Sequence, residues 1–409
     1  MNSITIPNVS SAVKPAASVA TGGKPALRVS YIDMLRGFLI ALVIVFHAAC
    51  TYNGSEDWTF RDLKANDLVT EVGLYFFVIY CQSFFMSLYF FLSGVFTPGA
   101  YDRKGVGRYW LDRVVHLLIP ALIYTLAVSR IPNYLTAITN YGVRDSFWKF
   151  SANTFWTEAD AGPTWFVFAV LLFSGLYTLV RIVANKLTRT SSGTKSWIDR
   201  VPAPGIGQLL IVALVMAAGM FIVGQFMPIV HAVRIFGAIP FIIGFFPFYL
   251  VFFFGGVLAY RNHWLEQWQA SPIKFWGTAS IMLVVLLPVL LVGGGALENG
   301  IDIFLSGFTW RCAATCLWLA LACVSFGMSL TLWMREHVRN GSRLAAFVGK
   351  NSFTVFLIHS AILVGVSVSI SGYDWHPLIK FAVSSVVAVP ACFLVAWLLR
   401  KIPGLKQAL

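Results

Sequence analysis

Ten long apolar segments dominate the sequence, and they restrict the chain to a fold that crosses a lipid bilayer. They lie at about residues 33–52, 74–97, 114–130, 164–184, 206–227, 237–259, 275–293, 307–333, 352–372 and 379–399. Each is about as long as a helix that crosses the hydrocarbon core must be. Only 11% of the residues are charged, whereas soluble domains carry about 25%. The sequence therefore predicts an all-α, polytopic membrane helix bundle with about ten transmembrane helices.

The basic residues are divided unevenly between alternate loops. Of the 30 lysines and arginines, twenty-two fall in the loops on the same side as the N-terminus and eight in the others. Cytoplasmic loops of membrane proteins are enriched in these residues, so both termini are predicted to be cytoplasmic. This topology explains the formal net charge of +13, and no nucleic-acid partner is expected.

Short polar tails flank the apolar region. Residues 1–30 are rich in Ser, Ala, Thr and Pro, and we predict that they form a disordered cytoplasmic tail. Because no apolar stretch precedes residue 30, this tail is not a cleavable signal peptide, and the first span is expected to direct insertion. Residues 401–409 are predicted to form a second, short cytoplasmic tail.

The first apolar segment contains two ionisable residues, Arg36 and His47. Eleven residues of α-helix turn through about 1100°, three turns plus about 20°, so both side chains lie on one face. The rise between them is about 16 Å, which places Arg36 at one mouth of the span and His47 near or past its middle. Considered alone, Arg36 is consistent with an anchor at the cytoplasmic end of the span, as the positive-inside rule predicts. His47 alone is consistent with a hydrogen-bonded packing residue. Together they favour a lined cavity, because ionisable groups in a bilayer usually face one.

The six cysteines all lie in apolar segments or at their edges: Cys50, Cys81, Cys312, Cys316, Cys323 and Cys392. None forms a Cys-x-x-Cys pair, and none lies in a long polar loop. Small apolar packing residues are the expected role, rather than a disulfide framework or a zinc site. We expect no metal ion.

Five blocks of sequence carry a family resemblance. The first is YIDMLRG, which leads into the Arg36-x10-His47 pair. The others are residues 84–124, 162–177 (GPTWFVFAVLLFSGLY), 252–266 and 351–364. Together they resemble the acyltransferase 3 family of integral membrane acyltransferases. The resemblance covers nearly everything after residue 30, and it identifies residues 31–400 as an acyltransferase 3-like transmembrane domain.

The resemblance implies a membrane O-acyltransferase that moves an acyl group from cytoplasmic acyl-CoA to a hydroxyl of an extracytoplasmic glycan or similar acceptor. The chain is similar to the stand-alone form of the family, which includes periplasmic glucan succinyltransferases. Acetyl-CoA or succinyl-CoA is therefore the expected donor, and the expected location is the cytoplasmic membrane, as a multi-pass protein. Acyl-CoA, a carbohydrate acceptor and the lipid bilayer are the expected partners.

His47 is the candidate catalytic residue. An acceptor hydroxyl is a weak nucleophile until its proton is removed, and an imidazole that titrates near neutral pH suits that task. Arg36 is expected to line the path of the pantetheine arm, to bind its carbonyl groups or to polarise the thioester oxygen. His359, in the ninth segment, is a secondary candidate that would face His47 across the cavity, and a satisfied packing histidine is the alternative.

The basic loop after the second segment supplies the candidate donor-binding residues. Coenzyme A carries several phosphate charges, which Arg113, Arg108 and Lys104 are expected to hold at the cytoplasmic entrance. The family often has Arg-x-x-Arg here, but His116 follows Arg113 at the second arginine position. A neutral imidazole holds phosphate more weakly than a guanidinium. An ordinary solvated loop is the alternative.

Two other functions fit the same residues. A transporter would use Arg36 and His47 to bind an anionic small solute or to relay protons. A non-catalytic scaffold or sensor would not depend on His47. The basic loop, taken with the five sequence blocks, favours the acyltransferase.

Overall fold

The structure, a computed structural model, describes residues 30–54, 58–62, 67–157, 159–188, 201–268 and 272–404, and this part of the chain is almost entirely helical. Its α-helices are α1 (Ser30–Tyr52), α2 (Leu68–Arg113), α3 (Ile119–Ile123), α4 (Arg130–Asn140), α5 (Phe147–Asn153), α6 (Trp165–Thr188), α7 (Ile206–Gly224), α8 (Phe246–Arg261), α9 (Trp264–Gln267), α10 (Ile273–Gly293), α11 (Ala296–Asn299), α12 (Trp310–His337), α13 (Arg343–Ser371) and α14 (Pro377–Leu399). The predicted all-α membrane bundle is confirmed.

The two predicted tails lie mostly outside the described residues. Ser30, the last residue of the predicted N-terminal tail, is the first residue of α1, and residues 1–29 are not described. In the predicted C-terminal tail, residues 401–404 form turns after α14, and residues 405–409 are not described.

Nine helical stretches in the described ranges are long and apolar enough to cross a membrane. One of them, Leu68–Asn140, contains two of the predicted segments, 74–97 and 114–130. Gly105, with φ 71° and ψ 167°, interrupts the helix between them. Residues sixteen apart on a straight helix would be about 24 Å apart, yet Arg113 Nη2 donates to Thr97 Oγ1 at 3.0 Å. The chain therefore folds back at Gly105, and the predicted segments 74–97 and 114–130 lie on either side of this bend.

The predicted segment 237–259 was wrong at its start. A strand β1 (Ala232–Ile235) pairs antiparallel with a strand β2 (Ile239–Ile242), and α8 begins only at Phe246. Phe236 and Gly237 make the turn with φ angles of 51° and 71°. Hydropathy cannot separate a short apolar strand from the beginning of a helix, and Pro240 on the second strand disfavours a helix interior there.

Helices α2 and α8 approach each other through glycines. A Cβ on Gly94 of α2 would lie 1.9 Å from the carbonyl oxygen of Phe253 on α8, and a Cβ on Gly256 would lie 2.1 Å from that of Phe91. Small residues allow such close backbone contact, which stabilises helix pairs in lipid by van der Waals packing. The contact fixes α2 against α8. Helix α1 packs against α2, α12, α13 and α14, so the Arg36–His47 face lies inside the bundle.

Candidate active site

His47 and His359 meet between α1 and α13. His359 Nε2 lies 3.3 Å from His47 Nδ1, and the two ring centroids are 5.2 Å apart. His359 is completely buried, whereas part of the His47 surface is accessible. The two histidines are 312 residues apart in the sequence, and the packing of α1 on α13 brings them together.

The contacts of His359 determine which nitrogens carry protons. Its Nδ1 lies 2.7 Å from the carbonyl oxygen of Phe356. Because a carbonyl oxygen only accepts, this Nδ1 carries hydrogen, and in the neutral ring Nε2 is then an acceptor. His47 Nδ1 must donate to it. The remaining nitrogen of a neutral His47, Nε2, is consequently left without a proton, which is the state that a general base requires.

Trp58 covers the His47 ring. The two rings are stacked, with centroids 4.0 Å apart and an angle of 19° between their planes. Trp58 is only 8% exposed, and its indole Nε1 has no hydrogen-bond partner within the described ranges. A buried N–H group without a partner costs free energy, and in native proteins most such groups are paired.

The segment 58–62 is held firmly over His47. Thr136 Oγ1 and Asn140 Nδ2, both on α4, donate to the carbonyl oxygens of residues 59 and 61 at 3.1 and 2.9 Å. Asp62 accepts from Lys380 Nζ at 2.7 Å, and both side chains are 2% exposed. Helices α4 and α14 thus hold the segment that carries Trp58. Trp58 could not be predicted from the sequence, because one aromatic residue in a loop carries no periodic signal.

Arg36 lies well away from the two histidines. It pairs with Asp33 at 3.7 Å on the same helix, and its guanidinium lies 5.8 Å from the ring centroid of Phe96 on α2. Helix α1 is continuous between Arg36 and His47, so the two are about 16 Å apart along its axis. This arrangement does not allow Arg36 to touch a reacting group at His47.

Arg113 lies at the same depth as Arg36. Its guanidinium donates to Thr97 and lies 5.0 Å from the Tyr109 ring centroid, and Thr97 directly follows Phe96, which Arg36 contacts. The side chains of Arg36 and Arg113 thus contact two consecutive residues of α2, Phe96 and Thr97 respectively.

The other predicted donor-binding residues are more dispersed. Lys104 forms an ion pair with Asp112, and Arg108 is exposed. His116 lies on a π-helical turn, Val114–Leu118, and is also exposed. Arg181 and Arg261, by contrast, were counted in the sequence only as loop cations, yet both pair with Asp102, at 3.3 and 2.9 Å. The structure thus gathers a basic group at this end of α2, α6 and α8.

The cysteines are separate from this site. All six are free and buried, which agrees with small packing residues. In the part of the chain that the structure describes, no three His, Cys, Asp or Glu side chains converge in a way that would hold a metal ion. The chemistry considered for this site rests on the histidine pair and its neighbours.

Residues 29–397 match the acyltransferase domain family known as acyltransferase 3. The match extends from the start of α1 into the last turn of α14 and includes both histidines. The chain therefore belongs to this family and is a multi-pass membrane acyltransferase. This finding favours an acyltransferase over a transporter.

Among the curated relatives, glucans biosynthesis protein C of Escherichia coli K12 is 23% identical over 394 residues, which cover 93% of this chain and 94% of the relative. The glucans biosynthesis proteins C of Escherichia coli O157:H7 and of the O6:K15:H31 strain 536 match with the same identity and coverage. No solved structure matches the chain.

Proposed function

We propose that the chain transfers an acyl group from acyl-CoA, delivered from the cytoplasm, to a hydroxyl group of an extracytoplasmic glycan. The acyltransferase family supports the reaction class. The relatives named for glucan biosynthesis support the acceptor. The transferred acyl group in this proposal is acetyl or succinyl.

The orientation follows from charge. Positive-inside bias puts both termini and the basic group around Asp102 on the cytoplasmic side of the cytoplasmic membrane. The segment 58–62 then faces the opposite side, where a glycan would approach. The two substrates reach His47 from opposite faces of the bilayer.

The donor path begins at the basic end of the bundle. Arg113, Arg108 and Lys104 bind the phosphate groups of coenzyme A, with His116 at the margin of this group. Charge-assisted hydrogen bonds of arginine to phosphate are strong and geometrically specific. Arg36, at the depth of Arg113, lines the path along which the pantetheine arm reaches His47.

His47 acts as the general base. Its Nε2 takes the proton of the acceptor hydroxyl while the hydroxyl oxygen attacks the thioester carbonyl carbon. The tetrahedral intermediate then loses the thiolate as the carbon–sulfur bond breaks, and the proton on His47 passes to the sulfur. The products are the acylated glycan and free coenzyme A, and His47 is again neutral.

Two neighbours assist this cycle. His359 accepts the His47 Nδ1–H hydrogen bond, which maintains the reactive tautomer and stabilises the imidazolium that forms. Trp58 Nε1 donates to the carbonyl oxygen as negative charge develops on it. The carbonyl of Phe356, His359 and His47 form one continuous hydrogen-bonded chain, and this is the observation that carries the proposal.

The test uses membrane vesicles with the cytoplasmic face outward and a glycan acceptor inside. Labelled acetyl-CoA or succinyl-CoA is added outside, and label on the glycan is measured. We expect transfer by the wild-type protein and a loss of about 100-fold or more for His47→Ala, since general bases contribute about 10²–10⁴-fold. His231→Ala, an exposed histidine elsewhere, should retain wild-type transfer.

Two results would overturn separate parts of the proposal. Undiminished transfer by an inserted His47→Ala protein would remove the catalytic role of this histidine. Transfer that requires acyl-CoA inside the vesicle would reverse the orientation but leave the chemistry intact.

A further inference from the structure

A basic pocket lies between the ends of α13 and α14, apart from the candidate active site. Its volume is about 420 Å³, and four of its eight lining residues are cations: Arg343, Lys350, Arg400 and Lys401. None of the eight is acidic. Lys401 Nζ lies 3.4 Å from the ring centroid of Trp397, which also lines the pocket. Such a site is built for an anion.

The pocket is not part of the donor path. Gly349 and Val348 of α13 face α1, because a Cβ on Gly349 would lie 2.5 Å from Asp33 and one on Gly37 would lie 2.4 Å from Val348. At 100° per residue, positions 343, 346, 347, 350 and 351 point to the opposite side of α13. The thickness of a helix thus separates the pocket from Arg36.

The surface beside the pocket identifies the kind of anion. Leu394, Trp397 and Leu398 on α14 are 56%, 40% and 48% exposed. These three residues share one face of the helix, since their spacing is three and four residues, and Lys401, two residues after the end of α14, lies against Trp397. Lys401 lies where this face meets the pocket. The apolar side chains extend from there along the membrane span. A molecule with an anionic head and long apolar chains fits both parts.

We propose that this pocket binds the phosphodiester headgroup of an anionic phospholipid. The acyl chains lie along the exposed apolar face of α14, and Arg343, Lys350, Arg400 and Lys401 surround the phosphate. With the positive-inside orientation, the lipid belongs to the cytoplasmic leaflet. Basic pockets between transmembrane helices on that side are typical headgroup sites.

The test compares the full-length protein in nanodiscs of phosphatidylcholine with and without phosphatidylglycerol. Native mass spectrometry measures lipid retention, and thermal unfolding measures stabilisation. We expect the wild-type protein to retain phosphatidylglycerol and to unfold at a higher temperature in its presence. The pair Lys350→Gln/Lys401→Gln should bind it roughly 30-fold more weakly, because each cation near an anionic surface contributes about 1 kcal/mol.

Matched controls separate this site from general charge effects. Lys274→Gln/Arg339→Gln removes two exposed cations elsewhere and should bind the lipid as the wild type does. Each variant is compared with itself in the two nanodiscs, so a lower intrinsic stability does not affect the result. Should the first pair fail to fold, Arg343→Gln alone should weaken binding about 5-fold, from the same contribution of a single cation.

Free phosphate is the other source of the same chemistry. Inorganic phosphate and glycerol 3-phosphate, added to phosphatidylcholine nanodiscs, should not reproduce the stabilisation. If they do, the pocket is a site for a soluble anion and the lipid proposal is overturned. Equal retention of phosphatidylglycerol and phosphatidylcholine by the wild-type protein, or an unchanged affinity in the pocket variants, would also overturn it.

Discussion

Lys380 Nζ and Asp62 Oδ2 lie 2.7 Å apart in the interior of the protein, although 318 residues separate them in the sequence. Each side chain is 2% exposed. The pair joins the segment 58–62 to the first turn of α14. Because this segment carries Trp58, the ion pair also holds the cover of His47 in place. Stability and the geometry of the candidate site therefore depend on the same contact.

Replacing one partner of this ion pair should lower the free energy of unfolding far more than replacing both partners. Asp62→Asn leaves the Lys380 ammonium buried without its counter-charge, which costs about 3–5 kcal/mol, whereas Asp62→Leu/Lys380→Met should recover most of the loss. Thermal unfolding of the purified protein measures this. Asp145 and Lys149 form an exposed pair at 2.8 Å, and Asp145→Asn should have no measurable effect because solvent screens the charges. Similar losses at the two sites would show that burial does not determine the strength of the Asp62 pair.

Trp58→Phe should reduce the rate of transfer while the cover over His47 remains. Phenylalanine retains an aromatic ring for the stack but lacks the indole N–H that we assign to the carbonyl oxygen. Loss of one such donor should lower kcat about 100-fold, the lower end of what single donors of this kind contribute. Trp310→Phe, at a tryptophan that is 60% exposed, serves as the control. An unchanged kcat in Trp58→Phe would leave this N–H without a role in the reaction.

His359 should act through the tautomer of His47. His359→Ala removes the acceptor of the His47 Nδ1–H group, so transfer should fall by about 10-fold or more but remain above the rate of His47→Ala. His359→Gln should restore part of the rate, because its amide oxygen can accept the same hydrogen bond. The dependence of kcat on pH should shift in His359→Ala, since the remaining imidazole has lost its partner. A purely structural role predicts lower protein yield with an unchanged pH profile.

Arg36→Lys should impair the use of acyl-CoA. Lysine keeps the charge but loses the planar fork that can hold two carbonyl oxygens of the pantetheine arm. We expect KM for acyl-CoA to rise about 10-fold with a smaller change in kcat, because we propose that Arg36 lines the donor path and does not contact the reacting atoms. Arg339→Lys, at an exposed arginine, is the control. A fall in kcat with KM unchanged would instead assign Arg36 to the chemical step.

Gly256→Ala and Gly255→Ala form a matched pair of substitutions on adjacent residues of α8. A Cβ on Gly256 would lie 2.1 Å from a backbone oxygen of α2, whereas one on Gly255 would meet nothing within 4 Å. The first change should destabilise the protein by roughly 3 kcal/mol, because overpacking forces the two helices apart, and the second should be tolerated. The yield of folded protein and the temperature of unfolding distinguish them. Equal behaviour would mean that α2 and α8 are not in close contact.

The spans were predictable because hydropathy is a local property of the sequence. The boundaries of the spans were less predictable. Helix α13 begins at Arg343, nine residues before the predicted segment 352–372, because Arg343 and Lys350 lower the hydropathy of its first turns. Ser342 accepts a hydrogen bond from the backbone of Ala345 and caps the helix there. The strand Ile239–Ile242 was missed for the opposite reason, since its residues are as apolar as a span.

The sequence by itself determined the helical membrane fold, the family and the placement of Arg36 and His47 on one helix face, because hydropathy, the five sequence blocks and the spacing within a segment are all local properties of the chain. Only the tertiary structure decided that His359 contacts His47, that Trp58 stacks on it, and that Lys380 anchors the segment carrying Trp58. It also placed His116 at the surface and Arg181 and Arg261 together at Asp102. These relationships join residues far apart in the chain, and helix periodicity does not specify which face of one helix meets another. Packing of the whole bundle fixes them.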